Sequence, residues 1–564
     1  MKAEAGEEGA EPAAAPDLRA GPEGGRAGRL ALELAFTEPQ AAARLTRQAA
    51  WREAAGGPRR GGRRAVPVAL SWHDTAAAGP GGGALARRGL ALEMPRRGPR
   101  RLVRSLPAPE APWRPGTPPE RIATLADEAA PWADSAGLDA AERAAPLVPL
   151  AAFEGRCARF VLAGRGDGDA AAAIEARLLT GRLRAASGAE HDVARLLLAG
   201  PAEPVLALAR ALATTLPLLP PRAALAEEAR ALARGEPVRP RRAGPPALQA
   251  AEEARAALGR ALGHLTEALL FHAPLARQEA GPEGVHQMRV ALRRLRSVLS
   301  LFRAVASAEE RPALRAFATR LRALARTLGP ARDWDVFLGG LAAELAAAAP
   351  GEPRLADLLR AAEARRAEAY ALLRAALDGP EFRVLVCDAL ALALRFAAPE
   401  ARDAAARTPP SDPPPEPLTR FAAAALERRW RKLRGCARAA FSAEAGEEAL
   451  HALRLEGKRL RYAAEIFAPL WPGRESRRFV KDLAALQEAL GLVNDAATAR
   501  RLVAALALPA MPHGAAAEAA RREDRAWAVG LAEGFVLART RRARKRALRA
   551  WDSLRERAPF RNGR

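Results

Sequence analysis

The stretch that decides the fold is Val285-His286-Gln287-Met288-Arg289-Val290-Ala291-Leu292-Arg293-Arg294-Leu295-Arg296, because the chain writes it a second time as Leu450-His451-Ala452-Leu453-Arg454-Leu455-Glu456-Gly457-Lys458-Arg459-Leu460-Arg461. Both read His-x-x-Arg-x-x-x-(Arg/Lys)-Arg-Leu-Arg, and from His286 to His451 the offset is 165. A second pair follows the first. Leu328-Gly329-Pro330-Ala331-Arg332-Asp333 and Leu490-Gly491-Leu492-Val493-Asn494-Asp495 share a Leu-Gly-x-x-x-Asp frame at an offset of 162. Two motifs in one order at nearly one offset mark a duplicated helical bundle with pseudo-twofold symmetry.

On a helix turning about 100° per residue, His286, Arg289, Arg293 and Arg296 share an arc of about 80°. Met288, Leu292, Leu295 and Leu299 cluster on another face and are expected in a core. The second copy places His451, Arg454, Lys458 and Arg461 at the same angles, with Leu453 and Leu460 inward. Arg303 continues the first stripe. Like charges three and four residues apart repel, and the nearby acids are few: Glu283 at the first copy, Glu456 and Glu465 at the second. An anion would complete such a row. Arginine suits phosphate because its planar fork binds oxygens in pairs and stays charged. A basic stripe on one helix is most often a solvated face; recurrence of the same His and cations in both halves favours a site. The Leu-Gly-x-x-x-Asp frames read as structure, with Gly329 and Gly491 ending one helix and Asp333 and Asp495 capping the next.

Working outward, helical periodicity runs from Ala247 over about 248–273, 283–305, 309–328, 332–348, 353–376 and 381–397, and again over 418–440, 446–469, 474–491, 494–506, 514–537 and 539–556. The proline-rich Thr408–Pro417 stands between the two series. Residues 1–28 are Ala/Gly/Glu/Pro-rich and read as disordered. Strand-like runs follow (Leu30–Phe36, Val66–Trp72, Leu90–Met94, Leu102–Leu106, Ala158–Leu162, Val193–Leu198), mixed with helical stretches at Pro39–Ala54 and Glu203–Leu216. The expected organisation is a disordered 1–28, an α+β domain over 29–232, a linker over 233–246, an all-α domain over 247–557 with repeats at about 247–407 and 418–557, and a tail over 558–564.

The chain carries 89 Lys and Arg against 65 Asp and Glu, a net +24. Residues 1–242 contribute 35 and 28, a net +7; residues 243–564 contribute 54 and 37, a net +17. The helical region is therefore the expected polyanion binder. Cys157, Cys387 and Cys436 show no metal-ligand spacing and no disulfide framework. With no signal-peptide pattern and no run of about 20 apolar residues, the expectation is a cytoplasmic protein.

His286–Arg296 followed by Ser297-Val298-Leu299-Ser300-Leu301-Phe302 resembles the opening signature of the CHAD family, the conserved-histidine α-helical domain. Leu450–Phe467, with its Lys-Arg-Leu-Arg-Tyr run, resembles the second-half signature, and Leu328–Val336 and Leu486–Asp495 resemble the two LG-containing motifs. The likeness covers about residues 247–557. It implies two helical halves around a basic surface or pore, and inorganic polyphosphate as partner. The implied ligands are His286, Arg289, Arg293, Arg296, His451, Arg454, Lys458 and Arg461, with Arg303, Arg332 and Lys481 added from the same stripe and neighbouring helices.

Residues 29–232 resemble a CYTH domain, an antiparallel β-barrel with a triphosphate tunnel, in degenerate form. The family's Glu-x-Glu-x-Lys falls at Ala31-x-Glu33-x-Ala35, its Arg-x-Arg at Glu93 and Pro95, its Leu-Lys at Leu106-Pro107, and its late Glu-x-Glu near Arg195 and Leu197. Arg156, Arg159 and Glu175 are retained. A metal-dependent triphosphatase needs clustered carboxylates for Mg²⁺ or Mn²⁺, so the expectation is a non-catalytic polyphosphate-binding protein with no cofactor. Association with polyphosphate granules is a further expectation. A divalent metal enters only under the alternative, a CYTH-type triphosphatase with a CHAD capture domain. A third reading, general nucleic-acid binding, lacks aromatics interleaved in the stripe; its strongest cue is the basic tail Arg539–Arg549, which reads equally well as a solvated helix end.

Overall fold

The computed structural model describes residues 29–56, 63–76, 83–107, 121–125, 132–162, 173–240, 244–277, 281–397, 417–442, 447–506 and 515–557. The stretches read as a disordered N-terminus and a tail, and the proline-rich 408–416, lie outside them. The chain divides into two units at Arg242/Ala243, within the expected linker.

Among the described residues the first unit is built on nine strands: β1 (Arg29–Phe36), β2 (Arg63–Thr75), β3 (Leu90–Pro95), β4 (Arg100–Arg104), β5 (Arg121–Leu125), β6 (Leu147–Leu162), β7 (Ile174–Ala185), β8 (Glu190–Pro201) and β9 (Leu218–Leu219). Short helices α1 (Ala49–Ala54), α2 (Ala84–Arg87), α3 (Trp132–Ser135) and α4 (Ala140–Ala144) fill the connections; α5 (Ala202–Thr215) and α6 (Leu225–Arg234) close the unit. The strands pair antiparallel in the order β5-β4-β3-β2-β6-β7-β8-β1-β9. Among the described residues β5 and β9 are the two ends, so the barrel expected from the sequence is instead an open sheet. Alternation explains the two layers: in β1, Leu32 and Leu34 face one side while Glu33 shares the other side with Arg195. On one face Trp72, Phe153, Leu179 and Leu183 pack with Leu225, Ala226 and Ala229 of α6.

Among the described residues the second unit is helical: α7 (Ala254–Arg277), α8 (Glu283–Leu301), α9 (Arg311–Phe337), α10 (Ala343–Ala348), α11 (Pro353–Asp378), α12 (Pro380–Ala397), α13 (Leu418–Ala440), α14 (Glu447–Phe467), α15 (Arg474–Leu506) and α16 (Ala515–Arg555). Contacts run α7–α8, α8–α9 and α9–α11 in the first half, and α13–α14, α14–α15 and α15–α16 in the second. Across the halves α7 meets α13, α8 meets α14, α9 meets α15 and α11 meets α16. Four helices of the first half thus touch their counterparts in the second, as the repeat predicts, while α10 and α12 have no counterpart among the described residues. An aromatic cluster joins the halves: Phe302 lies 5.0 Å from Phe421 and 5.8 Å from Phe467, ring centre to ring centre.

The cap reading of the Leu-Gly frames does not hold. Gly329 and Pro330 lie inside α9 and Gly491 inside α15. Glycine and proline disfavour a helix interior, yet Leu328, Ala331, Trp334 and Phe337 are all buried on one face of α9, and that burial carries the helix through. The expected breaks at 329–331, 492–493 and 538 are all bridged; a π-turn over Leu338–Ala342 joins α9 to α10 instead.

One glycine is fixed by close approach. A Cβ on Gly259 of α7 would stand 2.7 Å from the carbonyl oxygen of Ala393 and 2.8 Å from the carbonyl carbon of Phe396, both backbone atoms of α12. Neither can swing aside, so Gly259→Ala is expected to destabilise the helical unit by about 2–3 kcal/mol through overpacking. Urea unfolding followed by circular dichroism measures this, and an unchanged midpoint would contradict it.

Candidate functional site

The repeated helices are α8 and α14, and they lie against each other across the halves. Met288, Leu292 and Leu295 on α8, and Leu453 and Leu460 on α14, are fully buried, which turns the cationic face of each helix away from the core. Leu299, read as core, is only half-buried.

That orientation opens a cavity of about 830 Å³ lined by His286, Arg289 and Arg293 from α8, Arg332 and Asp333 from α9, and Arg454 and Lys458 from α14. The far wall is Val336, Phe337, Leu341, Leu492, Leu502 and Val536, with Gly340 of the π-turn and Arg546 of α16 at its edge. A smaller cavity of about 260 Å³ shares Arg293 and Lys458 with the first and adds Arg296, Arg429, Arg459, Tyr462 and Ser300. Arg429 of α13 donates to Ser300 Oγ at 2.9 Å.

Seven of the eleven residues expected in the site therefore line these two cavities: His286, Arg289, Arg293, Arg296, Arg332, Arg454 and Lys458. Four do not. His451 and Lys481 are exposed; Arg303 is exposed in a short turn past the end of α8. Arg461 donates to Glu465 Oε1 at 2.7 Å, and Glu465 also accepts from Arg294 at 3.0 Å, tying α14 to α8.

The electrostatics are those of crowded like charges. Burial, with Arg332, Arg293 and Arg289 adding to it and Glu283 opposing, lowers the His286 pKa below its ordinary value and favours the neutral ring. Burial also lowers the pKa of Arg293, where Arg289, Arg461 and Arg294 add to the effect and Tyr462 opposes. The Arg293 guanidinium sits 5.7 Å from the centre of the Tyr462 ring, a cation–π distance. Its Nε is shut off from solvent and meets no acceptor among the described residues.

Sequence reasoning missed several residues. Asp333 faces the cavity, with one oxygen 2.9 Å from Arg501 and the other 3.9 Å from Arg289. Its neighbour in the motif, Asp335, is buried instead and accepts from Arg366 at 2.8 Å and Tyr370 at 2.9 Å. Arg546 lines the cavity although the basic tail gave no clear preference; Val536, Ala543 and Arg546, seven and three residues apart, mark one helical face.

In the first unit Glu33 is 9% exposed and lies diagonal to the buried Arg195 on one sheet face. Arg195 donates to Glu228. Burial disfavours ionisation of Glu228, but Arg195 and His191 outweigh it and hold the carboxyl below its usual range. Glu33 and Glu228 thus answer a guanidinium, and among the described residues no group of three or more His, Cys, Asp or Glu is placed to hold a metal ion. The residues present do not fit the divalent ion that the CYTH likeness implies. Among the described residues no helix is long and apolar enough to cross a membrane.

Residues 260–504 match the profile of the CHAD domain family, and this segment is a CHAD domain. Two solved structures are similar. The crystal structure of the CHAD domain from the plant Ricinus communis is 28% identical, aligned over 55% of this chain and 93% of that one with a TM-score of 0.42. PptA from Streptomyces chartreusis is 18% identical over 53% of this chain and 100% of that one, with a TM-score of 0.39. No curated protein matches the chain. The first unit is β-rich, as a CYTH-like part would be.

Proposed function

We propose that the helical unit binds inorganic polyphosphate, without turnover, in the cation-lined cavity between α8 and α14. The observation that carries this reading is convergence. Arg289 and Arg293 from the first copy of the motif, and Arg454 and Lys458 from the second, line one cavity although they lie far apart in sequence. Like charges brought onto one cavity repel, and a chain of phosphates between them would offset that repulsion. The buried Arg293 Nε supplies a donor that a phosphate oxygen can accept from. A phosphate would also reverse the sign of the field at His286 and bring the ring to its charged, doubly donating form.

A linear, densely charged chain can enter a cleft that a duplex cannot. Titration of the full-length protein with long-chain polyphosphate, with duplex DNA of equal phosphate content as competitor, is expected to leave most polyphosphate bound. Equal competition by DNA would remove the specificity and favour a general nucleic-acid binder. Held this way, the protein would collect on polyphosphate granules; the first unit would serve as a scaffold or accessory module.

A further inference from the structure

The cavity contains a carboxylate among its cations. Asp333 projects from α9 beside Arg332 and pairs with cations of both halves, Arg289 on α8 and Arg501 on α15. Its side chain is 25% exposed and Arg501 is 67% exposed, so both reach solvent. Among the described residues no other carboxylate lines this cavity. Asp333 stands 3.9 Å from Arg289 in the cavity and accepts a hydrogen bond from Arg501 beside it, and it is tethered, so its local concentration far exceeds that of any free anion. Because the pair with Arg501 is solvent-exposed it is weak, and exchange for a phosphate is open.

We propose that Asp333 is a built-in competitor for the polyanion: it partly neutralises Arg289 in the cavity and Arg501 beside it and releases them when phosphate arrives, holding affinity below what the cations alone would give. This rests on the polyphosphate reading above. It has a signature that a purely structural role lacks. When phosphate displaces a carboxylate, those two cations release no counterions. When the carboxylate is gone, salt anions gather there and are released on binding, which steepens the dependence of affinity on salt.

The test is Asp333→Asn in the full-length protein, close in shape, titrated with long-chain polyphosphate over a range of salt concentrations. The expected result is an affinity about fivefold to tenfold higher at low salt and a log–log salt slope steeper by about one. In an Arg289→Gln, Arg501→Gln background the same change should alter affinity by less than about twofold, because the carboxylate then has neither partner to hold. A loss of affinity, a gain with an unchanged slope, or a gain that persists without the two arginines overturns the proposal. Failure of the polyphosphate reading itself shows separately, with Asp333 intact, as binding that does not depend on Arg289 and Arg454; the inference then falls with it.

Discussion

Replacing Arg289 and Arg454 together with glutamine is expected to lower polyphosphate affinity by at least about a hundredfold, since a hydrogen bond to a charged group contributes about 1.5–3 kcal/mol. The two residues hold equivalent places in the two copies of the motif and line the same cavity. Glutamine keeps much of the side-chain volume and leaves the apolar faces of α8 and α14 untouched. Circular dichroism should therefore be unchanged while binding by calorimetry or fluorescence collapses. The matched control removes two charges at Arg303 and Lys481, exposed and outside both cavities. It is expected to cost no more than about threefold, through long-range attraction alone. Equal losses from the two pairs would mean that net charge, not the cavity, holds the polymer.

Raising monovalent salt about fourfold is expected to weaken binding about a hundredfold, taking a slope of about 0.7 for each phosphate neutralised and five cations in the main cavity. Those cations are Arg293, Arg332, Arg454, Lys458 and Arg546; Arg289, the sixth in the lining, is paired with Asp333 and releases no counterion. The slope, read from titrations at several salt concentrations, counts the contacts independently of any substitution. A slope near one would mean a single surface contact and would contradict a chain laid along both repeats.

The helical half of this architecture was legible because its signal is periodic and stated twice. Leu292, Leu295, Leu453 and Leu460 fix which face is buried, and the cations follow from that. Where one helix ends was less legible. Gly329-Pro330 has the local chemistry of a helix stop, and only tertiary burial of Leu328, Ala331 and Trp334 overrides it. That misreading also hid the direction of Asp333: a residue read as a cap has no face, whereas a residue inside α9 does. Two of the four expected ligands that miss the cavities, His451 and Arg303, share a cause. Sequence angles place a side chain around its own helix but say nothing of where a partner helix ends, so His451 and Arg303, near the ends of the stripes, fall outside. In the sheet unit, β7 gives little signal because Leu178-Leu179-Thr180-Gly181 interrupts the alternation of charged and apolar residues at its centre; pairing on both sides, to β6 and β8, makes it a strand. An open sheet and a closed barrel share the same alternation, so closure could not be read from the residues.

The pairing of α8 with α14, its counterpart, has a consequence for directionality. The equivalent cations that both copies of the motif bring, Arg289 with Arg454 and Arg293 with Lys458, meet a bound chain in nearly the same way from either end. A nucleic-acid strand has unlike ends, so reversing it changes every contact, and at most one orientation can be matched well. Inorganic polyphosphate has chemically equivalent ends. On the proposed reading it can thread the cavity forwards or backwards with the same partners, and an encounter at either terminus is productive.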